Sequence, residues 1–388
     1  MPAERTALLI SYSDIRTDPR LRRQIDWLNG SGWTVDTLGL GDHPTDAVRD
    51  HFVVGPLRRW ATTRAGTAVI YLALPARLQF RILLGSRIPR ALVERIRSGG
   101  YSVVVFNEYE FAPWVADGVF DPARTHLHLD LHEYREPEGR SKSRWGRLTA
   151  RYYKWVRAHI GSPRFHTRST VARGIASLYE REFGFAPMTL VRNAPPFVEQ
   201  NPSPVDDSEV RMLFHGLASW SRGLPQIVSA LEGLDRRFTM TFMLTQPPQT
   251  IERLQDLIDS SGLGDRAKII PPAPMHEVAT RANAYDLEII FYPPTSTNVE
   301  LALPNKVFEA IQGRLGLVIG HSPMLEDIVR AYDNGIVVDG WTGDDLRRTL
   351  AALSADDIRR MKQASVSAAR DLNAEGEGRS FLDALGVP

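Results

Sequence analysis

Pro304 to Glu309 reads Pro-Asn-Lys-Val-Phe-Glu, a lysine and a glutamate three residues apart behind a proline. Proline suits the start of a helix, where its missing N–H is not needed. Asn305 and Lys306 then fall in the first turn, where free N–H groups and the positive end of the helix dipole attract anions. First turns ordinarily favour acids, so a lysine there makes sense if an anion is bound. Glu309 lies on the same helical face. One side chain can meet phosphate while the other accepts hydrogen bonds from ribose or sugar hydroxyls. A surface ion pair between the two accounts for the spacing equally well.

A second candidate is His215-Gly216-Leu-Ala-Ser-Trp-Ser-Arg222-Gly223, between a strand-like run and an amphipathic helix. Gly216 would let a phosphate approach backbone N–H groups, and Arg222 could engage it bidentately. A plain connecting loop with a solvated arginine is the alternative. A third is Asp130-Leu-His132-Glu133, closing another strand. His132 and Glu133 could orient sugar hydroxyls or handle protons, or the histidine could be structural. Asn107-Glu108-Tyr109 invites the same two readings. Asp18-Pro19-Arg20 opens a helix: Asp18 fits the cap, Pro19 the first position, and Arg20 could reach into a cleft. No His-Glu-x-x-His, acidic ligand cluster, Walker loop or opening Gly-x-Gly-x-x-Gly occurs, so no metal or nicotinamide is expected.

The elements that must carry these residues alternate between strand and helix. Ala7–Ser11, Thr34–Leu40, Ser102–Phe106 and His126–Leu131 read as strands, with Leu21, Ile25 and Leu28 at helical spacing over 19–29 and further helices over 145–158 and 171–183. Residues 201–208 (Asn-Pro-Ser-Pro-Val-Asp-Asp-Ser) are polar and aperiodic and read as a linker. The rhythm then restarts: strands at 210–214, 238–244, 268–270, 287–292, 315–319 and 335–338, and helices near 249–261, 275–284, 304–313 and 323–331. The expectation is an α/β chain of two Rossmann-like doubly wound domains facing a central cleft: 1–200, a linker 201–208, 209–365, and a helical tail 366–388 packing back on the first domain.

At these segments the chain resembles family 4, or group 1, glycosyltransferases of the GT-B fold. TDPRLRRQIDWLNGSGWTV, VVVFNEYEFAPWVADG, LDLHEYREPE, STVARGIASLYEREFG, LFHGLASWSRGL, LPNKVFEAIQGRLGLVIG and IVRAYDNGIVVDG carry the likeness in order along almost the whole length. The Pro-Asn-Lys-x-Phe-Glu block is its most specific part. The resemblance implies a nucleotide-diphosphate sugar donor, no cofactor, no obligatory metal and retention of anomeric configuration. It implies that Glu309 holds the donor ribose and that Arg222 and Lys306 hold the diphosphate above the Gly216 loop, with Pro304 and Asn305 at the helix start. His132 and Glu133 would face the transferred sugar or the acceptor. The chain departs from the family pattern in three places. Leu301 stands where a second glutamate is common, with Glu300 one residue off register; Leu217 replaces an arginine; and the opening glycine-rich loop is absent.

The chain has 388 residues, 43% of them hydrophobic and 24% charged, and no cysteine, so disulfides and thiolate metal sites are excluded. A net charge of +1 hides an asymmetry: residues 1–200 carry 29 basic against 20 acidic side chains. Residues 52–98 hold nine arginines and one acid, and residues 140–157 seven basic residues and no acid, both interleaved with aromatic and aliphatic side chains. Such segments suit an anionic bilayer surface, and they equally suit solvated helix faces; a nucleic-acid partner is not expected. No export signal or membrane-spanning run is visible. The expected protein is cytoplasmic, peripheral on the inner face of the cell membrane. It transfers a hexose-type sugar to a glycan, lipid-linked or small-molecule acceptor. A nucleotide-sugar epimerase and a non-catalytic membrane-associated relative are the competing readings.

Overall fold

The computed structural model describes residues 5–136, 144–245 and 247–386. It divides into two units, Met1–Val191 with Gly378–Pro388, and Arg192–Glu377. Each is built on one all-parallel sheet.

In the first unit the strands are β1 (Thr6–Asp14), β2 (Thr34–Leu40), β3 (His51–Val53), β4 (Val103–Asn107), β5 (His126–Leu131), β6 (Thr167–Thr170) and β7 (Thr189–Leu190), in spatial order β3-β2-β1-β4-β5-β6-β7. In the second they are β8 (Val210–Leu217), β9 (Phe238–Thr245), β10 (Ala267–Ile270), β11 (Leu287–Ile290), β12 (Gly316–Ile319) and β13 (Gly335–Val337), in order β10-β9-β8-β11-β12-β13. The central strands β1, β4 and β11 are largely apolar, as strands covered on both faces must be. In each unit the chain winds outward from one central strand and then returns to its other side. The reversal falls between β1 and β4 in the first sheet and between β8 and β11 in the second. At such switch points the flanking connections run to opposite faces, and a crevice opens at the strands' carboxyl ends.

The helix Pro19–Gly30 forms as its sequence dictates. Asp18 caps it by accepting from the N–H groups of Arg20 and Leu21, Pro19 takes the first position, and Leu21, Ile25 and Leu28 are buried. Arg20 does not reach into a cleft. It is buried in the core, its Nε and Nη2 donating to the two oxygens of Asp130 (2.6 and 2.7 Å) and its Nη1 to the Val191 carbonyl (2.7 Å). A buried carboxylate needs such a partner.

Residues 201–208 are not a joint between the units. Ser203 donates to the Asn283 carbonyl and accepts from the buried Lys362, and Asp206 bridges to Glu209, so the stretch is stitched to the second unit. The division falls instead at Val191/Arg192 and, near the end, at Glu377/Gly378. The tail is split accordingly: the helix Ala355–Asp371 belongs to the second unit, while Phe381 is fully buried in the first, against Trp27 and His128.

Between β3 and β4 lie short helical turns, including Arg64–Ala68, Ala76–Leu83 and Arg90–Arg97. Their inner faces bury Ile70, Phe80, Leu84, Leu92 and Ile96. The helix Arg144–Ala158 packs on them, with Tyr152 near Tyr71 and Trp155 near Phe80.

Candidate functional site

In the second unit the candidate residues converge at the β8/β11 switch point. β8 is apolar from Met212 to Phe214 and then ends in His215, Gly216 and Leu217. β11 carries one acid, Glu288, in an otherwise apolar strand, and its register places Glu288 opposite Leu213. Glu288 is fully buried; its Oε1 accepts from the His215 backbone N–H (3.3 Å). The His215 ring lies between two carboxylates: Nε2 is 2.9 Å from Glu309 Oε2, and Nδ1 is 3.0 Å from Glu288 Oε2. The second approach is a charge contact whose angle falls short of a hydrogen bond. Burial alone would push the His215 pKa down. The Glu288 carboxylate and the bond to Glu309 carry it up to about 9.

The helix Asn305–Gln312 delivers Lys306 and Glu309. Pro304 occupies the capping position just before it, Asn305 is exposed, and Glu309 is only partly covered. The alternative, a surface pair between Lys306 and Glu309, does not form. Lys306 is buried, its Nζ 3.8 Å from Glu288 Oε1 and 3.5 Å from the centroid of Phe214, and this ammonium has no hydrogen-bond acceptor among the described residues. Burial, opposed by Glu288 and reinforced by Arg222, lowers its pKa to about 7. Arg222 is half-buried, its guanidinium over the ring of Tyr292 (5.3 Å).

Two glycines shape this site. Gly216 has φ +104°, and a Cβ there would stand 3.8 Å from Lys306 Cε. Gly223 has φ +78°, and a Cβ would come within 2.1 Å of the Phe291 carbonyl oxygen. Only glycine lets the helix Leu224–Glu232 start so close to β11. The result is a buried lysine without an acceptor and a half-buried arginine, with backbone free of a side chain at Gly216 and a carboxylate partly open to solvent. Such a set can hold an anion beside a polyol.

In the first unit the β1/β4 switch point carries the other candidates. His132, just past β5, donates its backbone N–H to Glu108 Oε1 (3.0 Å), and its Nε2 lies 3.3 Å from Asp130 Oδ2. Glu133 is exposed and, among the described residues, pairs with Arg135 (3.2 Å) and not with the His132 ring. The acid that meets His132 is Glu108, which stands just past β4 with φ +67°, a left-handed conformation that costs a non-glycine residue energy. Asp130 anchors the group, accepting from Arg20, Gln24 and Ser169. Glu138, in the segment that carried the resemblance here, lies outside the described residues. Among the described residues no group of three or more His, Asp and Glu side chains is spaced to hold a metal ion.

Glu288 and the ring contacts of His215 are the parts of the site that the motifs did not single out. The signal for the first was a lone acid inside the apolar run Leu-Glu-Ile-Ile-Phe. That signal gives no partner, because the two residues are 73 positions apart in the chain.

Known structures share this architecture over the full chain. Sucrose-phosphate synthase from Thermosynechococcus elongatus superposes with a TM-score of 0.66 at 16% identity, covering 98% of this chain and 98% of its own. HepE of Anabaena, solved in complex with UDP and glucose, gives 0.69 at 13%, covering 99% and 100%. A glycosyltransferase from Rickettsia africae gives 0.69 at 12%, covering 99% and 98%. The chain has the GT-B fold. No protein-family model matches the sequence, and no curated protein matches it either. At these identities the shared property is the fold: GT-B proteins carry two parallel, Rossmann-like sheets, here of seven and six strands. Within the GT-B frame of this chain, both candidate clusters stand where doubly wound sheets hold ligands.

Proposed function

We propose that this protein is a glycosyltransferase that takes a hexose-type sugar from a nucleotide-diphosphate donor and passes it, with retention, to a glycan, lipid-linked or small-molecule acceptor. The observation that carries the reading is the buried Lys306 ammonium without an acceptor, beside Arg222 and the side-chain-free backbone of Gly216. A buried ammonium without a hydrogen-bond acceptor is costly, and an arriving diphosphate would supply acceptor oxygens. Arg222 and Lys306 then stabilise the leaving diphosphate, where negative charge grows in the transition state. They supply the positive charge for which other transferases draw on a divalent cation, so no metal is required. Glu309 receives the ribose hydroxyls. In the first unit, His132 with Glu108 and Glu133 faces the transferred sugar or acceptor. That solved proteins of this fold include a complex with UDP-glucose supports a nucleotide-sugar donor.

The first unit also carries a surface suited to an anionic bilayer. Trp60, Val69, Leu72 and Leu78 are exposed, Leu72 to 71%, among exposed Arg58, Arg59, Arg64 and Arg81, which have no acidic partner among the described residues. The second segment contributes less. Tyr152 and Arg157 are buried, Arg157 on Glu182, while Arg151 and Lys154 remain outward. Residues 140–143 lie outside the described residues. No helix among the described residues is long and apolar enough to cross a membrane.

The test is a panel of nucleotide sugars scored by thermal stabilisation, since a ligand that binds only the folded state must raise the melting temperature. The stabilising donor is then supplied with candidate acceptors, and the anomeric configuration of the product is read by NMR. Donor consumed without acceptor and returned as an epimer would convert the reading to an epimerase. Stabilisation by no nucleotide sugar would remove the donor site.

A further inference from the structure

His215, with Glu288 behind it, is a side chain of the donor-side cluster that the proposed transfer does not use. It is buried at the end of β8, and two glutamates from different elements reach it, Glu288 from β11 and Glu309 from the helix Asn305–Gln312. An ionised carboxylate can only accept. Nε2, hydrogen-bonded to Glu309 Oε2 at 2.9 Å, therefore has to bear a proton, and the buried Glu288 carboxylate 3.0 Å from Nδ1 favours a second proton there, which makes the ring an imidazolium. Nδ1 and Nε2 point to different sides of the ring, so this cation faces one carboxylate with each nitrogen. Glu309 Oε2 is the oxygen so held. Glu309 Oε1 has no partner among the described residues, and the side chain remains 19% exposed.

Resting on the donor reading given above, we propose that His215 is a positioning residue. It locks the Glu309 carboxylate through Oε2, with Glu288 locking the ring from behind, so that Oε1 is presented to the ribose hydroxyls of the nucleotide. The charges facing the ring are Glu288 on β11 and Glu309 and Lys306 on the helix, with Arg222 acting on Lys306. With Lys306 protonated, His215, Lys306 and Arg222 stand as three cations against the two carboxylates Glu288 and Glu309. If His215 lost one of its ring protons, the neutral ring would keep a single N–H and could serve only one of the two carboxylates, leaving either Glu309 untethered or the buried Glu288 with only the Lys306 ammonium and one backbone N–H.

Two measurements test this. The first needs no ligand: long-range 15N–1H spectra of the histidine-labelled protein at pH 7.5 should show both His215 nitrogens protonated, with the proton lost near pH 9. A neutral tautomer at pH 7.5 overturns the proposal. The second uses calorimetric binding of UDP, GDP and ADP to the wild type and to H215Q, E288Q, E309A and H215Q/E309A. H215Q should weaken the bound nucleotide about tenfold to a hundredfold, the scale of one charged hydrogen bond, and should abolish the fall in affinity above pH 9. In the E309A background H215Q should cost nothing further. An equal cost there would make His215 merely structural. If H215Q does not fold, E288Q carries the test: it should weaken binding and shift the alkaline limb below pH 9, and wild-type behaviour of E288Q overturns the proposal. Wild-type protein that binds none of the three nucleotides sinks the donor reading itself. Binding with no H215Q effect sinks only this proposal.

Discussion

Lys306 sits in a buried setting that holds its ammonium near pH 7, so its charge responds to whatever anion arrives. An unbound Lys306 is increasingly deprotonated above pH 7, whereas a diphosphate beside it would hold the proton. Nucleotide binding should therefore take up a proton, and affinity should fall as pH rises through 7. Calorimetry in buffers of different ionisation enthalpy measures that uptake, and an affinity that is flat from pH 6 to 8 would contradict it. Lys306→Ala should remove the uptake. Lys306→Ala and Arg222→Ala should each cost about 1.5–3 kcal/mol in binding or transition-state stabilisation. Glu309→Ala should weaken nucleotide-sugar binding and nearly abolish transfer while the melting temperature holds; wild-type kinetics in that variant would end its assignment. At this scale the sequence was informative about residue types and less so about their company. Pro304, Lys306 and Glu309 lie within one helical turn or so, and local spacing sufficed to bring them together. The pairings Lys306–Glu288, His215–Glu309 and His132–Glu108 depend on which strands lie side by side and on how the helix Asn305–Gln312 packs against them, which no local pattern encodes.

At the scale of elements, β5 shows how much chemistry a single strand can carry. Its alternation puts Leu127, Leu129 and Leu131 on one face and His126, His128 and Asp130 on the other. His128 is fully buried between Thr167 and Ser169, and its pKa is lowered to about 3 by burial; His126 is lowered to about 4 for the same reason. The unfolded chain binds protons at both positions near pH 6.5, and the folded chain does not until pH 4 or below. Stability must then decline as pH falls from about 6.5 toward 4. Asp130 works in the same direction at lower pH. Burial would raise its pKa, but Arg20 holds it well below the carboxylate range, so its contribution begins to fall as the unfolded state protonates near pH 4 and is lost as pH drops further through the folded value. Denaturant titrations between pH 7.5 and 4.5 should show the unfolding free energy dropping, and His128→Gln should flatten the drop. A pH-independent free energy across that window would refute the role given to this strand. Periodicity found the long strands and the helices at 19–29 and 323–331, because buried apolar residues dictate both. It missed β3 and β7, edge strands of three and two residues that carry too little pattern. It read 201–208 as a linker because prolines and polar residues look solvated. In the fold those polar side chains are spent on hydrogen bonds to the second unit.

At the scale of the whole molecule, the near-neutral net charge conceals a first unit with a basic, partly apolar outer face. The segment 52–98 folds into short helices rather than one amphipathic helix, and their buried sides account for most of its aliphatic residues. What remains outside is specific: Trp60, Val69, Leu72 and Leu78 beside Arg58, Arg59, Arg64 and Arg81. Scattered single apolar residues on a surface are ordinary, but four of them within 19 residues, among cations that have no acidic partner among the described residues, call for an anionic, apolar counterpart. Each arginine near an anionic bilayer contributes roughly 1 kcal/mol, so four acting together, with Trp60 and Leu72 dipping into the interface, suffice for reversible attachment. The protein should pellet with anionic vesicles, stay in solution with zwitterionic ones, and come off as salt rises, because surface charges are screened. Arg59→Glu with Arg64→Glu should abolish pelleting, and Leu72→Ser should weaken it while leaving the salt dependence in place. Equal binding to both vesicle types, or none to either, would return these arginines to the solvent and direct the search for an acceptor to water-soluble molecules.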